Sequence, residues 1–319
     1  MTSETKQANP ISGLKPPPKP ERSTLRGHLD LLDPVTWSAG PLGFICGALA
    51  SGGMNWDGKT IWLTVLGILL VGPLTIGFSQ SINDYFDRDV DSINEPTRPI
   101  PAGLVTLRGA ILNFTVVGLL AIAVAVLIAT TGGQNGLYIV LMTLLGLALG
   151  VFYSMPPLEF KRNGISGPLS VGVGYNLLTW LTGMYMFGPF KLEILVVALV
   201  NALIAAGLLI MNDLKSIDGD RELGLRTLPV LYGAQGALRI SFLLINISQV
   251  FYAIYLFATG HLWIGILQVL ALAVQVNAQR ALYAKPTHNQ YKIYLLTGNG
   301  LITLVALLSA LSFGGYLAI

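Results

Sequence analysis

Charge is scarce in this sequence: 11% of its 319 residues are Asp, Glu, Lys or Arg, against 53% apolar residues and a mean hydropathy of +0.66. That leaves too little polar surface to cover a soluble globule of this length, so the chain reads as a membrane protein. The 19 basic and 16 acidic residues nearly balance, and no nucleic-acid partner is expected. Cysteine occurs once, as Cys46 inside an apolar run, which excludes both a disulfide framework and a cysteine-ligated metal. Histidine occurs three times, as His28, His261 and His288, scattered with no obvious catalytic member. The first thirty residues lack an apolar stretch that would serve as a signal peptide. Their five prolines (Pro10, Pro16, Pro17, Pro18, Pro20) and mixed charges predict a disordered tail over 1–30.

Long apolar runs, by contrast, recur along the rest of the chain. A helix crosses a ~30 Å hydrocarbon layer with about 20 residues, and runs near that length begin and end around 35–53, 61–82, 108–130, 136–153, 166–187, 192–213, 236–258, 261–282 and 293–317. None shows the alternation of barrel strands, and backbone amides in lipid must be satisfied within the segment. The expectation is an all-α polytopic domain over 31–319 with about nine transmembrane helices. Of the 19 Lys and Arg, all but Lys59 and Lys191 lie in the tail or after the second, fourth, sixth and eighth spans. Because cationic loops stay on the side of synthesis, those connections and the N-terminus are expected to be cytoplasmic.

The acids are concentrated in two of those connections. Shifting the sequence by 129 residues places Asn83, Asp84, Asp89 and Asp91 on Asn212, Asp213, Asp218 and Asp220, which predicts two related four-helix halves around a central cavity, plus a ninth helix. At ~100° per residue, Asn83, Asp84, Asp87 and Asp91 share one helical face, as do Asn212, Asp213, Ser216 and Asp220. Asp89 and Asp218 project elsewhere. Two facing carboxylate clusters repel unless cations sit between them, and hard oxygen ligands suit Mg2+, a cation commonly bridged to substrate phosphates. Arg88 and Arg98 follow the first cluster, and Lys215, Arg221 and Arg226 the second, all of a type that grips phosphate oxygens. A third cytoplasmic segment runs from Tyr153 and Ser154 through Pro156 and Pro157 to Lys161 and Arg162. Its prolines stop the helix and leave two readings for the basic pair, membrane anchor or diphosphate contact with Tyr153 near the reacting carbon. Trp37, Phe44, Tyr175, Asn176 and Trp180 are candidates for lining a pocket for a flat acceptor, with ordinary packing as the alternative.

The run from Asn83 to Asp91 resembles the NDxxDxxxD signature of UbiA-type prenyltransferases. Asn212 to Arg221, the segments Ser79–Ile82 and Asn94–Pro101, and the Leu228–Val230 run are similar to the chlorophyll and bacteriochlorophyll synthase branch of that family. The family's second motif, DxxxD in many members, falls on Ser216 and Asp220, so which of Asp213, Asp218 and Asp220 binds a second ion stays open. The resemblance implies Mg2+ as cofactor, a geranylgeranyl or phytyl diphosphate as donor, and the propionate of chlorophyllide or bacteriochlorophyllide as acceptor. It also implies residence in a membrane of a photosynthetic cell. Within the same family an aromatic ring of quinone biosynthesis is an alternative acceptor. A secondary transporter is the alternative outside it, although coupling ions usually bind at mid-bilayer and the acids here lie at one membrane face.

Overall fold

The computed structural model describes residues 24–132 and 134–317, and among them it contains helices and a single isolated backbone bridge, Asn163 to Arg226, but no strand. Residues 1–23 lie outside the described residues. The end of the expected tail is ordered, which corrects the boundary at residue 30. Leu25–Asp30 forms a short helix, α1, capped by the Thr24 hydroxyl accepting from the Gly27 amide. A lone apolar turn was no signal of a helix in sequence, and α1 persists because it docks: Leu31, fully buried, packs with Val105 and Ala110.

A 3-10 turn over Pro34–Ser38 leads into α2 (Ala39–Ser51). Then α3 (Gly58–Leu69) passes through a π-turn at Leu70–Ile76, around Pro73, into α4 (Gly77–Asn94). The next spans are α5 (Leu107–Thr131) and α6 (Gly136–Ser154). The fifth expected span is broken into α7 (Ser166–Gly172), a π-turn at Val173–Leu177 and α8 (Leu178–Phe187). It is followed by α9 (Leu192–Asn212), a 3-10 turn at Asp213–Ser216 and α10 (Ile217–Glu222). The C-terminal third holds α11 (Leu228–Ala258), α12 (Leu262–Ala284), α13 (His288–Tyr294), a π-turn at Leu295–Asn299 and α14 (Gly300–Phe313).

Among the described residues, seven helical stretches are long and apolar enough to cross a membrane. Two of the nine expected spans are not among them. One is the segment 35–53, whose regular helix α2 has only 13 residues, and the other is the broken α7–α8 segment, which carries Ser170, Tyr175 and Asn176. A short helical segment from Leu228 precedes the seventh span, and Gly233, at φ 68°, breaks the helix between them, so the expected start near 236 falls just past that kink.

Lipid surrounds the outer faces: Leu112, Leu119, Leu243, Ile247 and Ile254 are each at least 60% exposed. With apolar surroundings on all sides, helices are joined by close packing and internal hydrogen bonds rather than by escape from water. Both devices are present. Glycines let α2 and α8 touch backbone to backbone, since a Cβ on Gly47 would lie 2.0 Å from the Trp180 carbonyl oxygen and one on Gly183 2.1 Å from that of Phe44. In the C-terminal helices, the buried amides of Gln249, Gln268 and Gln275 bond to one another and reach the Tyr294 hydroxyl. Asn246 and Gln279 exchange a reciprocal pair of bonds at 2.8 and 3.0 Å between α11 and α12.

Candidate active site

The helix running from α3 through α4 is 35 residues long to Ser92, about 50 Å at ~1.5 Å per residue and well beyond the ~30 Å hydrocarbon thickness. Its acidic end therefore projects past the apolar layer while remaining helical, so the face anticipated for Asn83, Asp84, Asp87 and Asp91 is kept. The Asn83 amide donates to Asp87 Oδ2 at 2.8 Å and to the fully buried Ser154 hydroxyl at 3.2 Å. Lys161 pairs with the other Asp87 oxygen, Oδ1. Asp84, 3% exposed, pairs with Arg98, whose Nε also donates to Glu95 Oε2 at 2.8 Å. That hydrogen bond holds the Glu95 carboxyl below the usual carboxylate range. Burial disfavours the Arg98 charge, but Asp84, Glu95 and Asp91 outweigh burial and shift its pKa upward. Asp91 lies in the field of Arg98, Asp87 and Asp84, and its side chain makes no hydrogen bond or ion pair among the described residues.

The second motif is arranged differently. The 3-10 turn after Asn212 interrupts the helix, and Ser216 then donates to Asp220 Oδ2 at 3.0 Å, joined by the buried Thr227 hydroxyl at 3.2 Å. Ser216 thus supports Asp220 through a neutral hydroxyl. Asp213 is flanked by Asp220 and Lys215, and Lys215 also acts on Glu95 across the two motifs. The motifs converge, since Asp220 lies in the field of Asp87 and the Tyr153 hydroxyl in that of Asp213, Asp87 and Asp220.

Lys161 reaches Asp87 because its loop is laced to the second motif's loop. The Arg226 amide donates to the Arg162 carbonyl at 2.9 Å, the Gly164 amide to the Arg226 carbonyl at 2.9 Å, and the Arg162 guanidinium reaches the Leu223 carbonyl at 3.4 Å. Of the two readings of the Lys161–Arg162 pair, Lys161 thus enters the site while Arg162 staples loops.

Three other anticipated residues stand outside the cluster. Asp218 is 96% exposed and pairs in solvent with Arg221 at 3.5 Å, which removes both from the set of site contacts. Helical phase already turned Asp218 away, and the structure completes the correction. Arg88 donates to its own helix at the Tyr85 carbonyl and lies over the Tyr85 ring, 5.2 Å from its centre.

Behind the carboxylates a cavity of about 290 Å³ enters the bundle. Asn83 and Asn212, the repeat-related amides, both line it, together with Tyr153, Gln80 and Tyr175. Gln80 donates to the Tyr175 hydroxyl at 3.0 Å and to Thr36 at 3.2 Å, tying α4, α7–α8 and the first 3-10 turn together. A second cavity of about 330 Å³ adjoins it at Tyr175 and Val171 and is lined by Asn176, Trp180, Asn201, Asn299 and Thr303. Tyr175, Asn176 and Trp180 thus line cavity walls. Phe44 does not: it is fully buried against Gly67 and Phe187, a packing residue between α2 and α3. Trp37 is likewise structural, its indole donating to the Leu32 carbonyl at 2.7 Å. Gln80 was missed in sequence, although it sits one helical turn before Asn83 and Asp84 on the same face. Asn201 and Asn299 were missed because isolated amides in apolar runs carry no spacing signal.

The oxygen-only donor set suits Mg2+ by chemistry. Among the described residues no three His, Cys, Asp or Glu side chains close around one point, as Asp84 and Asp87 are each turned onto a base.

The chain matches the UbiA prenyltransferase family over residues 41–297. It is 37% identical over 266 residues to the chloroplastic chlorophyll synthase of Avena sativa, covering 83% of this chain and 70% of that one. It is 34% identical to the bacteriochlorophyll synthase 34 kDa chain of Chloroflexus aurantiacus, over 91% of both chains. In fold it superimposes on a UbiA homologue from Archaeoglobus fulgidus bound to DMAPP and Mg2+, with a TM-score of 0.66, 21% identity, and coverage of 91% of this chain and all of that one. The transporter alternative gives way to these likenesses. Two acidic motifs at one mouth of a cavity inside a helical bundle, and extended identity to prenyl-transferring relatives, agree: the chain belongs to the UbiA prenyltransferase family.

Proposed function

We propose that this protein esterifies the propionate of chlorophyllide or bacteriochlorophyllide with a geranylgeranyl or phytyl group taken from the corresponding diphosphate. The observation carrying this reading is the cavity whose mouth holds Asn83, Asn212 and Tyr153 beside the carboxylates of both motifs, while its depth lies among apolar helices. The choice of acceptor rests on the similarity to chlorophyll and bacteriochlorophyll synthases.

The residues divide the work by position. Asn83, Asp84, Asp87 and Asp91 from one motif, with Asp213 and Asp220 from the other, would hold Mg2+, which supplies positive charge against the diphosphate as it leaves. Arg98, Lys161 and Lys215, which stand beside these carboxylates, would contact non-bridging phosphate oxygens. The bond between the allylic carbon and the diphosphate oxygen breaks with its electron pair leaving on oxygen. A carboxylate oxygen of the propionate then forms the ester bond. That carboxylate is ionised near neutral pH and needs no general base. Tyr153 and the apolar walls keep water from the allylic carbon, where hydrolysis to the alcohol would compete. The N-terminus and both acidic motifs would face the cytoplasm of a photosynthetic cell, in its inner or photosynthetic membrane.

Purified protein in detergent, given Mg2+, geranylgeranyl or phytyl diphosphate and either chlorophyllide, is expected to yield an esterified pigment by chromatography, and EDTA is expected to stop it. Prenylation of an aromatic acid with no pigment consumed would move the protein to another branch of the family.

A further inference from the structure

The two motifs are neutralised by different means. In the first, two carboxylates are closed by cations delivered from separate loops: Arg98 on Asp84 and Lys161 on Asp87. These pairs are sheltered, with side-chain exposures of 3% for Asp84, 12% for Lys161, 24% for Asp87 and 27% for Arg98. Asp87 has neither oxygen free, because Asn83 takes Oδ2 while Lys161 takes Oδ1. In the second motif Asp220 is held by neutral hydroxyls, and Asp213 has no ion pair among the described residues.

A divalent cation and an ammonium cannot share one sheltered carboxylate oxygen without strong mutual repulsion. Entry of a metal at the first motif therefore requires Lys161 and Arg98 to leave. A displaced cation in so poorly hydrated a place needs an anion, and the diphosphate of the donor is the one that arrives.

We propose that Lys161 and Arg98 are exchangeable counter-ions that hold the first motif closed to free divalent metal. They pass from Asp87 and Asp84 to phosphate oxygens when metal and diphosphate bind together. Metal and diphosphate then bind interdependently, and an empty site resists wasteful loading by either alone. The inference rests on the metal and diphosphate reading given above.

The test is equilibrium binding, independent of turnover. Mn2+ is titrated into the detergent-solubilised protein and followed by its spin-resonance signal, with and without inorganic pyrophosphate, after allowance for their association in solution. In the wild type, pyrophosphate is expected to raise Mn2+ affinity by between about 5-fold and 150-fold, and by linkage Mn2+ raises pyrophosphate affinity by the same factor. Lys161→Met keeps the side-chain stem but removes the charge. It is expected to bind Mn2+ more tightly than wild type without pyrophosphate, to bind pyrophosphate more weakly, and to lose most of the coupling. Lys161→Gln repeats the measurement with a polar neutral side chain, and a circular-dichroism melt verifies folding of each variant. Variants that fold yet bind Mn2+ as the wild type does, or more weakly, in the absence of pyrophosphate overturn the exchange while leaving the metal site intact. A wild type that takes up no Mn2+ even with pyrophosphate overturns the metal reading itself, and the exchange with it.

Discussion

Asp218 and Asp91 belong to repeat-related motifs but stand in opposite circumstances. Asp218 is 96% exposed in solvent, while Asp91 stands among Arg98, Asp87 and Asp84. Asp91→Ala and Asp87→Ala are each expected to lower kcat at least about a hundredfold, the scale for losing one preorganised electrostatic group. Asp218→Ala is expected to stay within about twofold of wild type, as for a surface change. An ester-forming assay at saturating Mg2+ separates them, and a dead Asp218 variant would restore it to the ligand set. Arg98→Ala removes a charge-assisted contact of about 1.5–3 kcal/mol, so the donor KM is expected to rise roughly tenfold to a hundredfold with the acceptor KM little changed. At this scale much of the site was legible before any coordinates. Helical phase gathers Asn83, Asp84, Asp87 and Asp91, and the 129-residue offset supplies their counterparts. What sequence could not supply was the reach across loops. Nothing in the spacing of Lys161 from Asp87, or Arg98 from Asp84, announces the pairs they form.

Elements carry the next level of the argument, and glycine decides one of them. Gly47 lets α2 lie directly against α8, where any Cβ would meet the Trp180 carbonyl oxygen at 2.0 Å. Gly47→Ala is therefore expected to destabilise the protein by about 1–3 kcal/mol through overpacking, read as a lowered melting temperature in detergent. Trp180 lines the second cavity, so the same change is expected to raise the acceptor KM more than the donor KM. Elsewhere, α1 braces the loop that bears Arg98. The Thr24 amide and hydroxyl both donate to the Leu104 carbonyl, at 2.9 and 3.3 Å, and Leu31 fills the space beside Val105. Apolar run length anticipated the seven membrane-length helices among the described residues, because membrane crossing is a length requirement. It was silent on the π-turns, the 13-residue α2 and the docked α1, all of which depend on contacts with helices remote in sequence.

Across the whole molecule, function requires that both acidic motifs open on the same side of the membrane, since one cavity mouth is shared by Asn83 and Asn212. The basic residues give that side a direction: every Lys and Arg except Lys59 and Lys191 belongs to the tail or to connections on the motif side. A chain inserted the other way would carry those cations across the bilayer against the retention of positive loops. Orientation is testable because the single native thiol, Cys46, is buried and gives little background. Thiols placed by Asp89→Cys and Asp218→Cys, at positions 86% and 96% exposed, are expected to react with a membrane-impermeant maleimide only in inside-out vesicles. A thiol placed by Asn55→Cys, in the exposed connection between α2 and α3, is expected to react only from the outer face of intact cells. Reaction of Asp89→Cys and Asp218→Cys from opposite faces would break the shared mouth, and with it the joining of the two motifs around one diphosphate. Reaction of both from the outer face would preserve the site but reverse the compartment from which donor and acceptor heads are drawn.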